Sequence, residues 1–339
     1  MNFKFSEKKL AVIGAGAWGT ALSNLLAKKD RKVNLWVYEK DLCEIIAEKR
    51  ENIRYFPGTK LSNNITPISD LEDAVKNTAI IIIVVPSQHV RGIFKTLSSF
   101  LPEDVLIVSA CKGIENNTLS TISQIYSEEF NSRSNNNFAV ISGPSFAREI
   151  ADEKPTAVVA ASKNRETSEH IQNLFSTPYF RVFISSDVVG VELGGALKNV
   201  IAIAAGISDG LGNVSNTRAA LIARGLAEMI KIGSAMGAQS QTLSGLSGMG
   251  DLILTCTGEL SRNRSLGLRI GKGESLEEIQ KETITVAEGA ATVKSAYNLI
   301  EKHNIRAAII KETYLILYKN KSPRQAMQDI MRLHPSDEF

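Results

Sequence analysis

One lysine stands in a stretch with helical spacing that otherwise carries no charge. Lys198 is the only charged side chain between Glu192 and Asp209. Because an unpaired ammonium group is costly to bury, such a lysine either extends along the helix edge to water or performs chemistry. The chemical alternative is a lysine that faces a cleft, with a pKa lowered by desolvation and suited to proton transfer. Asn199, beside it, could orient a substrate hydroxyl.

Two polar clusters further along the chain could also carry chemistry. Asp251 lies in a glycine-rich turn before an apolar run. An aspartate there commonly caps a helix N-terminus, and the alternative is that it pairs with or orients a lysine. In the run Ser261–Arg264 the serine can cap the helix that follows, while Arg262 and Asn263 could form an anion site at its N-terminus. A solvated basic turn would produce the same pattern.

A glycine-rich turn near the start of the chain predicts dinucleotide binding. Gly14, Gly16 and Gly19 follow a short apolar run and open a stretch with helical spacing. In a strand–turn–helix context the first glycine permits the tight turn and the second lets the backbone approach a pyrophosphate. The third lets the helix pack on the strand, and the helix N-terminus faces the phosphates. The alternative is a glycine-rich turn without a ligand.

The end of the second predicted strand bears on the choice between NAD and NADP. An acid that binds the ribose is expected about 20 residues past the turn, and Val37 stands where we expect it. Tyr38, Glu39 and Lys40 follow. Glu39 could accept a hydrogen bond from the 2′-hydroxyl, whereas Lys40 could attract a 2′-phosphate. The sequence therefore leaves both cofactors open.

Two further turns are expected beside the cofactor. The run Gly143–Ala147 follows a predicted strand that ends at Ile141, and Lys112 follows one that ends at Ser109. Ligands of open α/β sheets bind outside the carboxyl ends of the strands. Both turns should therefore face the cofactor crevice.

The elements that position these residues form two groups. Apolar runs alternate with helical spacing up to residue 186, which predicts an N-terminal α/β domain with a Rossmann-type, doubly wound parallel sheet over residues 1–186. Residues 187–339 are rich in Ala, Gly and Leu with helical spacing, which predicts an all-α substrate and catalytic domain. The predicted strands are Leu10–Ile13, Val33–Val37, Ile80–Val85, Val105–Ser109 and Phe138–Ile141, with weaker signals at Val158–Ala160 and Phe180–Ile184. The predicted helices are Thr20–Lys29, Val188–Ala205, Asn216–Met236, Ala290–His303, Ala307–Lys319 and Pro323–Arg332.

Composition limits the functional classes. The 339 residues are 43% apolar and 22% charged, with a net charge of +3, which gives no indication of nucleic-acid or anionic-membrane binding. The longest strongly apolar run, Ala79–Val85, is too short to cross a bilayer. Cys43, Cys111 and Cys256 show neither a disulfide framework nor zinc spacing. We therefore expect a cytoplasmic protein that does not insert stably into a membrane. We also expect it to bind neither a metal nor a nucleic acid.

Taken together and in this order, the clusters resemble those of bacterial NAD(P)-dependent glycerol-3-phosphate dehydrogenases. The resemblance runs along nearly the whole chain, and the blocks around Lys198, Asp251 and Arg262 are far more specific than the glycine turn. It rests on Gly14–Gly19, Asn52–Gly58, Val85–Gln88, Lys112–Ile114, Ser142–Ala147, Val191–Val200, Gly250–Leu252, Ser261–Arg264 and Glu288–Gly289.

The resemblance implies reversible reduction of dihydroxyacetone phosphate to sn-glycerol 3-phosphate with NAD or NADP, for phospholipid synthesis. It implies that Lys198 is the general acid/base, that Asp251 holds it, and that Asn199 and Thr255 support it by hydrogen bonds. It implies a substrate site lined by Lys112, Gly143, Ser145, Asp251, Ser261, Arg262 and Asn263. It implies that, beside the turn glycines, the cofactor touches Trp18, Lys112, Ala147, Arg262, Val286 and Glu288.

Two cofactor-site positions depart from the family pattern. Ala17 lacks the Ser or Thr hydroxyl that usually follows the second turn glycine. Tyr38 keeps a stacking surface but lacks the cation of the Arg or His common there, so we expect no strong NADP preference. Two alternatives are a two-domain dehydrogenase that clamps the carboxylate of a hydroxy acid or sugar acid, and a catalytically silent nucleotide sensor. The helices between Gly190 and Gly237 could pack within the domain or across a homodimer.

Overall fold

Two compact units make up the chain. The computed structural model describes residues 9–130, 137–213, 215–282 and 288–332. The first unit extends to Lys112 and resumes over Ser120–Glu192, and the second holds Gly113–Leu119 and continues from Leu193. The domain limits expected from the sequence, 1–186 and 187–339, differ from these two units and remain predictions.

The strands all lie in the first unit. Over the described residues they are β1 Lys9–Ile13, β2 Val33–Trp36, β3 Glu51–Asn52, β4 Phe56–Lys60, β5 Ile65–Ile68, β6 Thr78–Ile83, β7 Leu106–Ser109, β8 Phe138–Ser142, β9 Thr156–Ala161 and β10 Phe180–Ser185. β3 and β4 form an antiparallel ribbon, and the other eight form one sheet in the order β10-β9-β8-β7-β6-β1-β2-β5.

The helices flank the sheet in the first unit and make up the second. Over the described residues they are α1 Ala17–Ala27, α2 Lys40–Lys49, α3 Leu71–Val75, α4 Val90–Ser98, α5 Ile122–Glu129, α6 Ala147–Ala151, α7 Arg165–Phe175, α8 Val188–Gly210, α9 Ser215–Ala235, α10 Ser240–Leu243, α11 Asp251–Thr257, α12 Arg262–Gly271, α13 Leu276–Glu282, α14 Glu288–Lys302, α15 Ala308–Lys319 and α16 Pro323–Arg332.

The sheet has the strand order of a dinucleotide-binding fold. β1 pairs in parallel with both β2 and β6, so the order of the strands reverses at β1, where open α/β sheets bind ligands. Successive residues of β1 face opposite sides: Leu10 and Val12 pack into one core, Ala11 and Ile13 into the other. Helices covering both faces explain why these strands are continuous apolar runs. The predicted Rossmann-type fold is confirmed.

The predicted parallel arrangement holds for the sheet as a whole but not for its last two strands. β9 runs antiparallel to β8, and β10 is parallel to β9. A parallel return would need a connection long enough to run back along the sheet. The only helix between β8 and β9, α6, has five residues, about 7.5 Å at 1.5 Å per residue. This helix is shorter than β8 itself and does not run back along the sheet, and the chain forms an antiparallel strand beside β8.

α8 is the longest apolar element of the described chain. Its most apolar 18-residue window has a mean hydropathy of 1.6, which by length and composition would suffice to cross a membrane, but 89% of that window is buried inside the protein. α8 is interrupted by polar residues, unlike the run Ala79–Val85, but it is the longer apolar segment. The prediction that this stretch forms a buried helix is confirmed, and burial identifies α8 as a core helix.

Glycines bring α8 and α12 into backbone contact within the second unit. A Cβ at Gly206 would lie 2.1 Å from the carbonyl oxygen of Arg264, and a Cβ at Gly267 would lie 2.1 Å from that of Ile203. Gly210 and Gly271, one turn further along each helix, meet in the same way. Any larger side chain at this crossing would force the two helices apart.

Candidate active site

The glycine turn has the geometry expected of a dinucleotide cradle. Gly14 has φ +119°, a left-handed conformation that favours glycine. A Cβ at Gly19 would lie 1.9 Å from the carbonyl oxygen of Gly14, so only glycine lets α1 pack this closely on the turn. A Cβ at Gly16 would meet no described atom within 4 Å. Packing therefore does not require a glycine at position 16, and open space lies where a pyrophosphate would approach.

The N-terminus of α1 is suited to an anion. Gly16 is its N-cap, no side chain caps it, and its first turn contains no acidic residue. The helix is 11 residues long, so its dipole and free amides face the turn. Ala17, the first residue of α1, contributes its backbone amide and no hydroxyl.

A lysine lies beside this turn within the first unit. The Lys112 ammonium lies 6.0 Å from the centre of the Trp18 ring and donates to the carbonyl oxygen of Gly143 at 3.1 Å. Ser145 donates to the same carbonyl at 2.8 Å. The buried indole Nε1 of Trp18 has no acceptor among the described residues. The predicted residues thus come together, with an orphaned donor that a cofactor group would satisfy.

The remaining predicted cofactor positions are at element ends. Tyr38 follows β2 and is 77% exposed, with its ring edge against Trp36 at 5.9 Å between centroids. Ala147 is the first residue of α6, and Glu288 is the first residue of α14. Val286 lies outside the described residues.

Lys198 is buried and paired. It is 6% exposed, and its Nζ donates to Asp251 Oδ1 at 2.9 Å and to Thr255 Oγ1 at 2.7 Å. The alternative of a lysine that extends to water at the helix edge is therefore wrong. The Thr255 hydroxyl donates a hydrogen bond to the Asp251 carbonyl oxygen at 2.6 Å, which leaves a lone pair on Oγ1 for the ammonium. The lysine is held at a defined point by two oxygens.

The position of Asp251 depends on a close approach between the segment before α11 and the backbone of α8. It is the first residue of α11, and the N-cap is Gly250. The helix-capping alternative for Asp251 is wrong, because its carboxylate accepts from Lys198. A Cβ at Gly194 would lie 2.5 Å from the carbonyl oxygen of Ser247, so glycine lets the segment before α11 approach α8. This contact sets the distance between Lys198 and Asp251.

Asn199 and Asn263 form a relay in the second unit. Asn263 Nδ2 donates to Asn199 Oδ1 at 2.9 Å, and its Oδ1 accepts from the Gly289 amide at 3.0 Å. Asn263 therefore joins the residue next to Lys198 to the first turn of α14. A Cβ at Gly289 would lie 2.4 Å from Asn263 Oδ1, so glycine is needed at this contact.

The predicted anion site lies at the start of α12. Ser261 is its N-cap and accepts from the Arg264 amide at 3.2 Å, as expected. Arg262 is exposed, and no hydrogen bond or ion pair engages it within the part of the chain that the structure describes. A free guanidinium at a helix N-terminus suits an external anion.

Sequence interpretation missed the carboxylate that fixes this turn. Asp209, at the end of α8, accepts from Arg264 Nε at 2.8 Å and from Arg218 Nη2 at 2.7 Å. The glycine pairs at 206/210 and 267/271 were missed as well, although their four-residue spacing is visible in the sequence. That spacing signals a close helix crossing, and Asp209 lies next to it.

The described residues near Lys198 offer neither a set of metal ligands nor a reactive thiol. Over the described ranges, no group of three or more His, Cys, Asp or Glu side chains could hold a metal ion. Cys256 follows Thr255 on α11, and burial raises the pKa of its thiol to about 12. The thiol is therefore protonated at neutral pH and is a poor nucleophile.

Comparison with known proteins identifies the family. Residues 9–168 match the family described as NAD-dependent glycerol-3-phosphate dehydrogenase N-terminus, and residues 187–328 match its C-terminus. The chain belongs to the NAD-dependent glycerol-3-phosphate dehydrogenase family. The resemblance drawn from the motifs is confirmed.

Full-length glycerol-3-phosphate dehydrogenases are similar to this chain throughout. The glycerol-3-phosphate dehydrogenase [NAD(P)+] of Citrifermentans bemidjiense is 54% identical over 96% of this chain and 97% of its own length. That of Geobacter metallireducens is 50% identical over 98% and 99%. The crystal structure of glycerol-3-phosphate dehydrogenase from Coxiella burnetii superposes with a TM-score of 0.92 at 37% identity, covering 96% of this chain and 99% of that one.

Proposed function

We propose that the chain is an NAD(P)-dependent sn-glycerol-3-phosphate 2-dehydrogenase. It reversibly reduces dihydroxyacetone phosphate to sn-glycerol 3-phosphate with NADH or NADPH and supplies the glycerol phosphate backbone for phospholipid synthesis. The observation that carries the proposal is the buried ammonium of Lys198, held by Asp251 and Thr255 in a chain whose relatives bear this enzyme's name. A silent nucleotide sensor would have no use for that arrangement.

Lys198 acts as the general acid in the biosynthetic direction. When bound, the reduced cofactor supplies a hydride to C2 of the ketone. Lys198 Nζ gives a proton to the developing alkoxide and takes it back from the 2-hydroxyl in the reverse reaction. Asp251 and Thr255 hold Nζ by the bonds described above, so the acid is positioned before the substrate arrives.

Arg262 binds the substrate phosphate. Its guanidinium has no described partner, and the N-terminal amides of α12 lie beside it. Asn263 adds a side-chain contact, while the relay through it keeps Asn199 and the start of α14 in register. Because the phosphate is equally charged in substrate and product, this clamp supplies positioning energy. In the first unit we also assign Lys112, Gly143 and Ser145 to substrate binding.

The cofactor is assigned to the first unit, with contributions from Arg262, Val286 and Glu288. Gly14, Gly16 and Gly19 with the Ala17 amide hold the pyrophosphate, and the fit of that turn supports the assignment. Trp18, Lys112 and Ala147 are further cofactor contacts, and Tyr38 offers a stacking surface to the adenosine. The proposed division of labour is cofactor binding by residues 1–186 and catalysis by residues 187–339.

The setting of the enzyme is part of the proposal. Three free cysteines and a net charge of +3 support a cytoplasmic enzyme with a small phosphorylated substrate, without a nucleic-acid partner or stable membrane insertion. The alanine- and glycine-rich helices between Gly190 and Gly237 are where a second copy would pair in a homodimer.

Initial rates test the proposed function. We expect oxidation of NADH or NADPH with dihydroxyacetone phosphate and none with 2-keto acids. In Arg262→Ala, loss of a charge-assisted contact should raise the KM for dihydroxyacetone phosphate at least roughly tenfold, while the slow rate with unphosphorylated dihydroxyacetone stays unchanged. Arg324→Ala, at an exposed position of α16, is the matched control. Faster turnover of a keto acid, or an unchanged KM in Arg262→Ala, would overturn the respective assignment.

A further inference from the structure

A carboxylate and a guanidinium meet beside the glycine turn, where the adenosine ribose is expected. β1 and β2 pair in parallel with Ile13 opposite Trp36, so the residues after β2 lie next to the turn after β1. Asn52 ties a third segment to this place, because its Nδ2 donates to the carbonyl oxygen of Ala15 at 2.7 Å and to Thr20 Oγ1 at 2.9 Å. The ribose end of the site is thus built from three segments of the first unit.

Glu39 is oriented by this third segment. Tyr55 donates its hydroxyl to Glu39 Oε1 at 2.5 Å, and its amide donates to Asn52 Oδ1 at 3.0 Å. The hydrogen bond to Glu39 raises the pKa of the Tyr55 hydroxyl, which therefore stays a donor. The side chain of Glu39 is 29% exposed, and its second oxygen has no hydrogen-bond partner among the described residues. That oxygen is available to a ribose hydroxyl.

Arg54 is neutralised in the same cluster. Its Nη2 donates to Asp41 Oδ2 at 2.6 Å, and its Nη1 lies 4.0 Å from Glu39 Oε1. The guanidinium thus lies between the carboxylates of Asp41 and Glu39, and it is near Glu39 Oε1, the oxygen that accepts from Tyr55. With both carboxylates charged, it has little attraction left for a further anion.

We propose that Glu39 makes this site select NADH over NADPH, and that Arg54 is a latent partner for a 2′-phosphate which Glu39 and Asp41 hold neutralised. The inference rests on the proposed function, since it concerns the cofactor of that reaction. A ribose hydroxyl can donate to the free carboxylate oxygen, and hydrogen bonds to an ionised acceptor are the strong ones. A 2′-phosphate at the same point would bring two anions together in a partly buried place.

Lys40 is the competing cation on this edge. It is the first residue of α2 and exposed, and it has no described partner that fixes it. A mobile ammonium of this kind gains little from a single phosphate, because holding it costs side-chain entropy and water screens its charge. Arg54 is already held near this point by Asp41, and removal of Glu39 would leave its Nη1 without a carboxylate and able to contact a 2′-phosphate.

Dissociation constants for NADH and NADPH, from titration calorimetry, test the inference without relying on turnover. We expect wild type to bind NADH roughly tenfold or more tightly than NADPH, the factor expected for one hydrogen bond to a charged group. Glu39→Gln should weaken NADH and tighten NADPH so that the preference disappears. Adding Arg54→Met to Glu39→Gln should remove the gain in NADPH affinity, whereas adding Lys40→Met should leave most of it. Glu48→Gln, an exposed acid on α2, should change neither constant.

The outcomes separate this inference from the proposed function. Equal binding of both dinucleotides by wild type, or an unchanged ratio in Glu39→Gln, would overturn the inference while turnover with either cofactor upholds the dehydrogenase. Retention of the NADPH gain with Arg54→Met and its loss with Lys40→Met would transfer the latent site to Lys40 and overturn the role of Arg54. If neither dinucleotide binds to wild type, both proposals fail.

Discussion

At the scale of single residues, the decisive feature is a charge that the protein keeps out of water. Lys198 is 6% exposed and Asp251 is 1% exposed, and they are 2.9 Å apart. A buried ion pair contributes little net stability, because desolvation of both charges offsets their attraction. Such a pair is weak evidence for a structural role. The need to deliver a proton from a fixed point is a better reason for the protein to retain this buried pair.

Lys198→Ala should greatly slow turnover while leaving cofactor binding intact. Loss of the general acid should lower kcat by roughly 10²- to 10⁴-fold, whereas the dissociation constant for the dinucleotide should stay within error of wild type. Stopped-flow rates and calorimetric titration measure the two quantities. Lys311→Ala, an exposed lysine on α15, is the control.

The variant leaves the Asp251 carboxylate buried without its partner, which is itself destabilising. Lys198→Ala combined with Asp251→Ala removes that stranded charge, so the double variant should be more stable than the single one and equally inactive. Near-normal turnover in either variant would contradict the acid/base role.

At the scale of elements, α8 carries Lys198, and its backbone contacts fix how closely α11 and α12 approach it. Gly194 admits the segment that leads into α11, and Gly206 with Gly210 admits α12. Asp209, at the end of α8, then holds the first turn of α12 through Arg264. The positions of the proposed acid, its carboxylate partner and the proposed phosphate clamp therefore depend on backbone contacts along one helix.

Gly206→Ala should displace the proposed phosphate-binding residue Arg262 although it does not contact the substrate. The new Cβ would lie 2.1 Å from the Arg264 carbonyl oxygen, so α12 must shift, at a cost of about 1–3 kcal/mol in the free energy of unfolding. The KM for dihydroxyacetone phosphate should rise because Arg262 moves with α12. Urea unfolding and initial rates measure both effects.

A matched control is Gly92→Ala in α4, where a Cβ would meet no described atom within 4 Å. Alanine should stabilise that helix by up to about 1 kcal/mol, since glycine is a poor helix former. If Gly206→Ala is as stable and as active as Gly92→Ala, the close crossing does not position the site.

The elements also show how far sequence interpretation reaches. Central strands such as β6 were predictable because burial on both faces leaves a continuous β-branched run. β5 was missed because Pro67 argues against a strand, although an edge strand tolerates proline. The direction of β9 depends on the path that the chain takes after β8, and no periodicity reports that path.

The site was predictable where a residue conflicts with its surroundings. Lys198 stands out because a charge interrupts an apolar helix, and the turn glycines because they join a strand to a helix. The partners of Lys198 lie 53 and 57 positions away, so only the fold brings them together. The family resemblance supplied those pairings, whereas the Asn199–Asn263 relay and Asp209 became visible only in three dimensions.

At the scale of the whole molecule, each unit contains a buried acid outside the proposed chemistry. Glu192 accepts from the amide and hydroxyl of Ser123 at 2.7 and 2.6 Å in the first unit. Glu228 accepts from the amides of Ile309 and Ile310 at 2.9 and 3.0 Å, at the start of α15 in the second. Desolvation raises the pKa of each carboxyl to about 7 despite these bonds. Stability should therefore depend on pH near neutrality.

Glu228→Gln should change that dependence. An acid whose folded pKa is raised binds its proton more tightly in the folded state, so its contribution is intact below the ordinary value of 4.5 and is lost as pH rises through about 7. Glutamine cannot ionise and still offers an oxygen to the α15 amides. Between about pH 5 and about pH 8 the unfolding free energy of Glu228→Gln should therefore gain roughly 2.5 kcal/mol relative to wild type. Urea unfolding across this range measures the difference, with Glu301→Gln, exposed on α14, as a control whose difference stays constant. A constant difference for Glu228→Gln would mean that burial leaves its carboxyl pKa near the ordinary value, and that the amides of α15 stabilise the anion as fully as water does.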